Sequence, residues 1–384
     1  MDFNVFGGLA TFGGGVLYYV VPFIFVLTIV VFFHEFGHFI VARWAGVKVL
    51  AFSIGFGPQL FGFNDRHGTR WKISAIPLGG YVKFFGDENA ASVPDTEAVA
   101  QMSTAERGQS FFHKPVGKRA AVVVAGPLAN FILAIVIFAG VFAIYGKQTI
   151  LARVDTVQAG SAAEAAGIKT GDVILSINGE KIGSFSDMQR IVSTSAGETL
   201  TLGVERGGQP LTLKATPQMR EVKDNFGGTH QMGMLGISRS TSAADVKFER
   251  VNPIAAVGMG VQETWFIVDR TLSYLGGVVS GREKADQLGG PIRIAQVSGQ
   301  VANAGGMLGL LHLAAVLSVS IGLLNLFPIP LLDGGHLMFY AIEAARGRPL
   351  SDRAQEYGFR VGLAIVLMLM IFATFNDVVH IWKS

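Results

Sequence analysis

Val20-Val-Pro-Phe-Ile-Phe-Val-Leu-Thr-Ile-Val-Val-Phe-Phe-His34-Glu35-Phe36-Gly37-His38-Phe39-Ile40-Val41 decides the reading of this chain, because it is long and apolar enough to cross a bilayer and carries three ionisable groups near its end. An ionisable side chain deep in a span costs about 2.5 kcal/mol or more unless it faces protein or a water-filled cavity, so its presence implies a use. Histidines four apart on a helix fall about 40° apart around the axis and can both reach one metal ion. Glu35, one position after the first histidine, can touch a water on that metal. His34 and His38 are thus candidate zinc ligands and Glu35 is the candidate general base of a peptide hydrolysis. The other reading of the three residues is a polar cluster that pins neighbouring spans together.

A catalytic zinc takes three protein ligands and keeps a fourth position open, so one ligand has to come from elsewhere. With no cysteine in the chain, only His, Asp and Glu remain. Asn325-Leu-Phe-Pro-Ile-Pro-Leu-Leu-Asp-Gly-Gly-His336 closes a later apolar run with residues that break helical backbone. Exposed backbone at membrane depth is tolerated where it lines a cavity, which singles out Asp333 as the third ligand. His336 and His312 compete on chemistry alone and are each read as structural histidines with satisfied partners. Asp377 is read as an interfacial residue.

Half of the 384 residues are apolar and 15% are charged, and the mean hydropathy is +0.44, which fits membrane spans combined with a polar module. A net charge of +3, with basic residues clustered beside apolar runs, argues against nucleic acid as a partner. Four stretches, roughly 17–42, 120–145, 307–327 and 359–381, reach the length a helix needs to cross the bilayer. No basic residue or small-residue cleavage site marks the first as a removable signal, so it is expected to remain. A fifth stretch, 254–280, mixes Trp265, Phe266 and Leu272 with Glu263, Asp269 and Arg270 and suits an amphipathic helix lying in the interface. Basic residues Arg43, Lys48, Lys114, Lys118, Arg119, Arg346, Arg348 and Arg353 place their loops in the cytoplasm, and put residues 146–306 and both termini on the periplasmic side of a bacterial inner membrane.

Residues 150–218 change texture, with strand-like alternation punctuated by glycines. The run from Ala159 to Gly179, AGSAAEAAGIKTGDVILSING, resembles a PDZ domain, and such a fold could take a peptide C-terminus as an added strand. Another β-prone segment, Trp71 to Phe85 with the Gly79-Gly80 pair, is expected to form a small membrane-associated hairpin. Through Gly79, Gly80, Tyr81 and Val82 it could offer an edge to an unwound substrate. The expected architecture is a polytopic α-helical membrane protein of about four spans with an inserted β-rich PDZ domain. Its parts are 1–145 (first two spans and the β-rich loop), 146–220 (PDZ), 221–306 (linker and interfacial helix) and 307–384 (last two spans).

The embedded HEFGH, the Leu332-Asp333-Gly334-Gly335 after a later run, and the PDZ-like segment between them together resemble the site-two protease family of intramembrane zinc metalloproteases. Ser53-Ile-Gly-Phe-Gly-Pro58, Pro77-Leu-Gly-Gly-Tyr-Val-Lys83, Ala125-Gly-Pro-Leu-Ala-Asn130 and Gly289-Gly-Pro-Ile-Arg-Ile-Ala295 fall where the group of the bacterial regulator of sigma-E protease has similar runs. The resemblance implies one zinc ion on His34, His38 and Asp333, with Glu35 activating water, and Asn325 contacting substrate or the developing oxyanion. It also implies a substrate class, the transmembrane segments of single-spanning proteins such as anti-sigma factors. Two features depart from the pattern: there is room for one PDZ where many relatives carry two, and Ser320 stands where some have asparagine. A membrane scaffold with a structural metal site and a zinc transporter are the competing readings.

Overall fold

The computed structural model describes residues 15–87, 101–223, 229–239, 246–281, 285 and 289–383. The expected periplasmic N-terminus lies outside them. The chain divides into two compact units, one of Met1–Gly140, Val257–Leu275 and Ala285–Ser384, the other of Val141–Ala256 and Gly276–Lys284.

Among the described residues, four helices are long and apolar enough to cross a membrane, and they lie wholly or mainly in the first unit: α1 (Val16–Trp44), α3 (Val116–Tyr145), α7 (Pro291–Asn325) and α9 (Asp352–Lys383). The short α2 (Thr104–Arg107) precedes α3 and is closed by a capping box between Ser103 and Glu106. α7 is two helices joined across non-helical Gly306, and the segment after that kink is the run expected to span. Val26 and Val30 of α1 interlock with Ala302, Leu310 and Ala314 of α7. α9 leaves Val361, Met368, Ile371 and Phe375 exposed, as a lipid-facing helix would. α8 (Asp333–Arg346) starts at the expected third ligand and stops at left-handed Gly347.

The expected hairpin is one part of a larger sheet. β1 (Val49–Asn64) and β2 (Arg70–Phe84) each fold back and pair twice. Residues 51–54 pair with 80–83 on one side and with 70–73 on the other, and 70–74 pair again with 59–64. The segment order is therefore 59–64, 70–74, 51–54, 80–84. Phe52, Val82 and Phe84 pack into a core with Phe39 of α1, Val122 of α3 and Tyr340 of α8. The far end of the sheet exposes Phe56, Leu60, Phe61, Phe63, Ile76 and Leu78. Asp65, in the β1–β2 turn, accepts the amides of His67 and Thr69 and pairs with Arg43, tying the sheet to the end of α1.

The second unit contains β3 (Lys147–Ile150), β4 (Thr156–Val157), α4 (Ala162–Ala165), β5 (Val173–Ile177), β6 (Glu180–Lys181), α5 (Phe185–Thr194), β7 (Leu200–Arg206), β8 (Gln209–Ala215), β9 (Gln218–Lys223), β10 (Thr229–Met234), β11 (Ile237–Ser238) and β12 (Val246–Glu249). Its main sheet runs β6-β5-β7-β8, and Ile174, Ile177, Leu202 and Val204 form its core with Met188 and Val192 of α5. The expected boundary at residue 220 falls inside β9, and β11 and β12 pair back to β4 and β3, so this unit continues well past that point. Asp172 is buried, and its carboxylate takes two hydrogen bonds from Arg206, at 2.7 and 2.8 Å. Those donors hold its carboxyl below the usual carboxylate range.

The expected interfacial helix is α6 (Pro253–Val279), capped by Asn252, whose side chain accepts the amides of Ile254 and Ala255. It is not among the helices apolar enough to span. Within the first unit, Gly260 lies against the Ile135 carbonyl of α3, while Trp265 and Phe266 are exposed.

Asp377 corrects the sequence reading. It is 2% exposed, and its carboxylate accepts the amides of Gly290 (2.8 Å), Ile292 (3.1 Å) and Arg293 (3.0 Å) at the start of α7. An anion there satisfies amides that the helix itself leaves open and complements the helix dipole, which a residue merely resting at the interface would not do.

Candidate metal centre

α1 presents His34 and His38 on one face, and the first turn of α8 brings Asp333 to them. His34 Nε2 lies 3.2 Å from Asp333 Oδ2, His38 Nε2 lies 3.5 Å from Asp333 Oδ1, and the two Nε2 atoms are 3.3 Å apart. One ligand atom from each residue falls within 4.8 Å of the others.

Whether these residues suit a cation is decided by where the protons are. His38 Nδ1 donates to the Val122 carbonyl at 2.9 Å, so in the neutral ring Nε2 is the nitrogen with a lone pair to offer the cluster. Asp333 Oδ2 is buried with no hydrogen-bond partner, despite its closeness to His34. Lone pairs converging at this distance repel unless a positive ion lies among them, and two imidazoles with a carboxylate form a zinc donor set. The site fits zinc.

Support comes from α3. A Cβ on Gly126 would run into the His38 imidazole, so only glycine leaves that ring its place. Asn130, fully buried, has its side-chain amide 3.3 Å from His34 Nδ1, and its backbone carbonyl accepts a hydrogen bond from Ser318 of α7. With the amide turned so that Oδ1, otherwise without a partner, faces the ring, Asn130 accepts the His34 Nδ1 proton and directs Nε2 to the metal. Arg119 of α3 pairs with Glu343 of α8 and lies over the Tyr340 ring, clamping the helix that carries Asp333.

Glu35 faces the same cavity, of about 200 Å³, which is also lined by Gly80, Tyr81, Val82, Asn325 and His336. The Val82 amide reaches the Glu35 carboxylate. A Cβ on Gly80 would come within 3.0 Å of Glu35 Cγ, so the close approach of the strand to the helix depends on glycine there. Of the residues expected at the site, Gly79 alone stays off the cavity wall, its backbone turned toward the Phe56 ring. His312 is exposed and meets the edge of Phe138. His336 differs from its expected structural role: its ring packs near Phe359 and Tyr340, and among the described residues no protein group hydrogen-bonds to it. Asn130 and Gly126 were not singled out as site residues by their sequence. The one available signal was a polar side chain in the middle of an apolar span.

Comparison with known proteins bears on the chain as a whole. The profile of Peptidase family M50 matches residues 22–369. An Agrobacterium fabrum protein named for zinc metalloprotease activity is 53% identical over 360 residues, covering 94% of this chain and 95% of its own. A Rhizobium meliloti protein named in the same way is 52% identical over 363 residues, covering 94% and 97%. The metalloprotease MmpA of Caulobacter vibrioides is 43% identical over 384 residues, covering 94% and 96%.

Proposed function

The chain belongs to peptidase family M50 and is a zinc metalloendopeptidase of the membrane, and from that premise we propose that it cleaves transmembrane segments of single-spanning proteins, anti-sigma factors among them, after another protease has removed their extracytoplasmic part. One observation carries the reading: three candidate metal-ligand atoms converge beside Glu35 in a cavity that a strand edge also lines.

Zinc held by His34, His38 and Asp333 would supply a water of lowered pKa and polarise the substrate carbonyl. Glu35 takes the proton of the attacking water and returns it to the departing amine. Asn325 is assigned to the substrate or the developing oxyanion.

A helix hides its amides, so a spanning substrate has to unwind first. The 80–84 edge supports a way to hold it. Phe84 spends its outward amide on Asp87 Oδ2, and by strand alternation Gly80 and Val82 turn their amides and carbonyls to that same side, where a partner strand could meet them. An unwound segment adds there as a further strand. The exposed aromatic end of the sheet is assigned to the membrane, where the bilayer would cover it.

The second unit is assigned as a periplasmic PDZ domain. Phe185, Met188 and Val192 of α5 face Met234 and Ile237 across a groove. The carbonyls of Leu235 and Gly236 are tied inward to Ala163 and Gln158, which leaves their amides for a peptide carboxylate. The enzyme lies in the bacterial inner membrane, with its metal centre toward the cytoplasm.

The test uses purified protein and a tagged single-span substrate. Wild type cleaves, whereas Glu35→Gln and chelator-treated wild type do not. Cleavage by Glu35→Gln at the wild-type rate refutes the assignment, and capture of the substrate without cleavage points to a scaffold.

A further inference from the structure

His336 lies one turn beyond Asp333 on α8, so the two side chains share a face, and both line the cavity that holds Glu35. Its ring is held by the Phe359 ring at 5.5 Å and the Tyr340 ring at 6.5 Å, contacts that fix its plane without using its nitrogens. Among the described residues neither nitrogen has a protein partner, and the residue lines the cavity. An imidazole so held and left without protein partners keeps its N–H free for whatever enters the cavity. Histidine is a poor filler for such a space, since phenylalanine would pack against the same two rings at no polar cost. The scissile carbonyl of a substrate enters this cavity with an oxygen that can accept that N–H.

We propose that His336 is a catalytic residue whose neutral imidazole N–H donates a hydrogen bond to the oxygen of the scissile carbonyl and holds it as that oxygen becomes an oxyanion. The proposal rests on the proteolytic reading above and adds a donor to it. No proton is transferred: the N–H stays on the ring while the carbonyl π pair moves onto oxygen as water adds, and the hydrogen bond shortens as the charge grows. A donor that tightens only in the transition state acts on kcat and leaves substrate binding nearly unchanged.

The experiment measures kcat, KM and bound zinc for wild type, Glu35→Gln, His336→Phe and His336→Gln with a tagged single-span substrate. Removing one such donor lowers kcat by about 100-fold. That loss is expected in His336→Phe, which refills the space between the rings without a donor, with zinc per chain at the wild-type level and KM within about threefold. His336→Gln, which retains an N–H, recovers at least a tenth of wild-type kcat by about the same reasoning. Wild-type kcat in His336→Phe overturns the proposal, as does a loss of zinc matching the loss of activity, which would make His336 a support of the metal. If Glu35→Gln cleaves normally, the proteolytic reading itself has failed, an outcome separate from either of these.

Discussion

At the scale of single residues, Asn130 and Gly126 show how little of a metal centre needs to touch the metal. With its amide oxygen turned to the ring, Asn130 fixes which His34 nitrogen is free, and outer partners of this kind are worth about 10–100-fold in metal affinity or activity. Asn130→Leu is accordingly expected to weaken zinc binding by about 10-fold or more, measured by competition with a chelator of known affinity. Gly126→Ala pushes a methyl group into the His38 ring, so purified protein is expected to carry well under one zinc per chain. Full zinc occupancy in both variants would dissociate α3 from the site. The residues legible in the sequence were those whose relation is local: His34, Glu35 and His38 announce themselves by helical spacing within one span. Asp333 was legible because prolines and glycines around it broke an apolar run. Asn130 lies 96 positions from the ring it orients, and a lone span asparagine does not reveal its partner. His336 was assigned a satisfied structural role, because the absence of a hydrogen-bond partner is visible only in three dimensions.

At the scale of elements, the sheet beside α1 carries the proposal about substrate handling. The strand Trp71 to Phe85 was legible from its β-prone residues, whereas β1 was hidden, since Gly55, Gly57, Pro58 and Gly62 interrupt its alternation. These interruptions are what let β1 bend and pair twice. The model of strand addition makes an asymmetric prediction, because the 80–84 and 59–64 segments are opposite edges of one sheet. In the Glu35→Gln background, Tyr81→Cys is expected to form a disulfide with a cysteine placed near the cut position of the substrate, and Asn64→Cys is not. The chain has no cysteine of its own, so each cross-link is unambiguous. Equal yields at both edges would remove the pairing. The end of α9 makes a second prediction at this scale. Asp377→Ala strips three amides of their acceptor at the start of α7, a loss of about 1–3 kcal/mol per the usual value of hydrogen bonds to a charged group, and thermal unfolding in detergent should show it as a lowered midpoint.

At the scale of the whole molecule, the two compact units rest on different physics, and acid separates them. The Asp172 carboxyl titrates lower in the folded second unit than in the unfolded chain, where its pKa is about 3.9. The folded state therefore binds fewer protons, and the stabilisation is complete above that unfolded value and is lost as pH falls toward the folded one. Hydrogen exchange of peptides spanning Val173–Ile177 and Leu200–Arg206, corrected for intrinsic rate, is expected to show falling protection below about pH 4, and Asp172→Asn should flatten that dependence while lowering protection at neutral pH. The four spans make the last prediction. Basic residues near their ends predict an orientation in which Arg348, between α8 and α9, would face the cytoplasm and Glu198, between α5 and β7, the periplasm. Both side chains are exposed, so single cysteines at either position are reachable from their own side. In intact spheroplasts a membrane-impermeant maleimide should label Glu198→Cys and spare Arg348→Cys until the membrane is broken. The reverse pattern would turn the molecule over, moving the metal centre to the periplasmic face and overturning the proposed orientation.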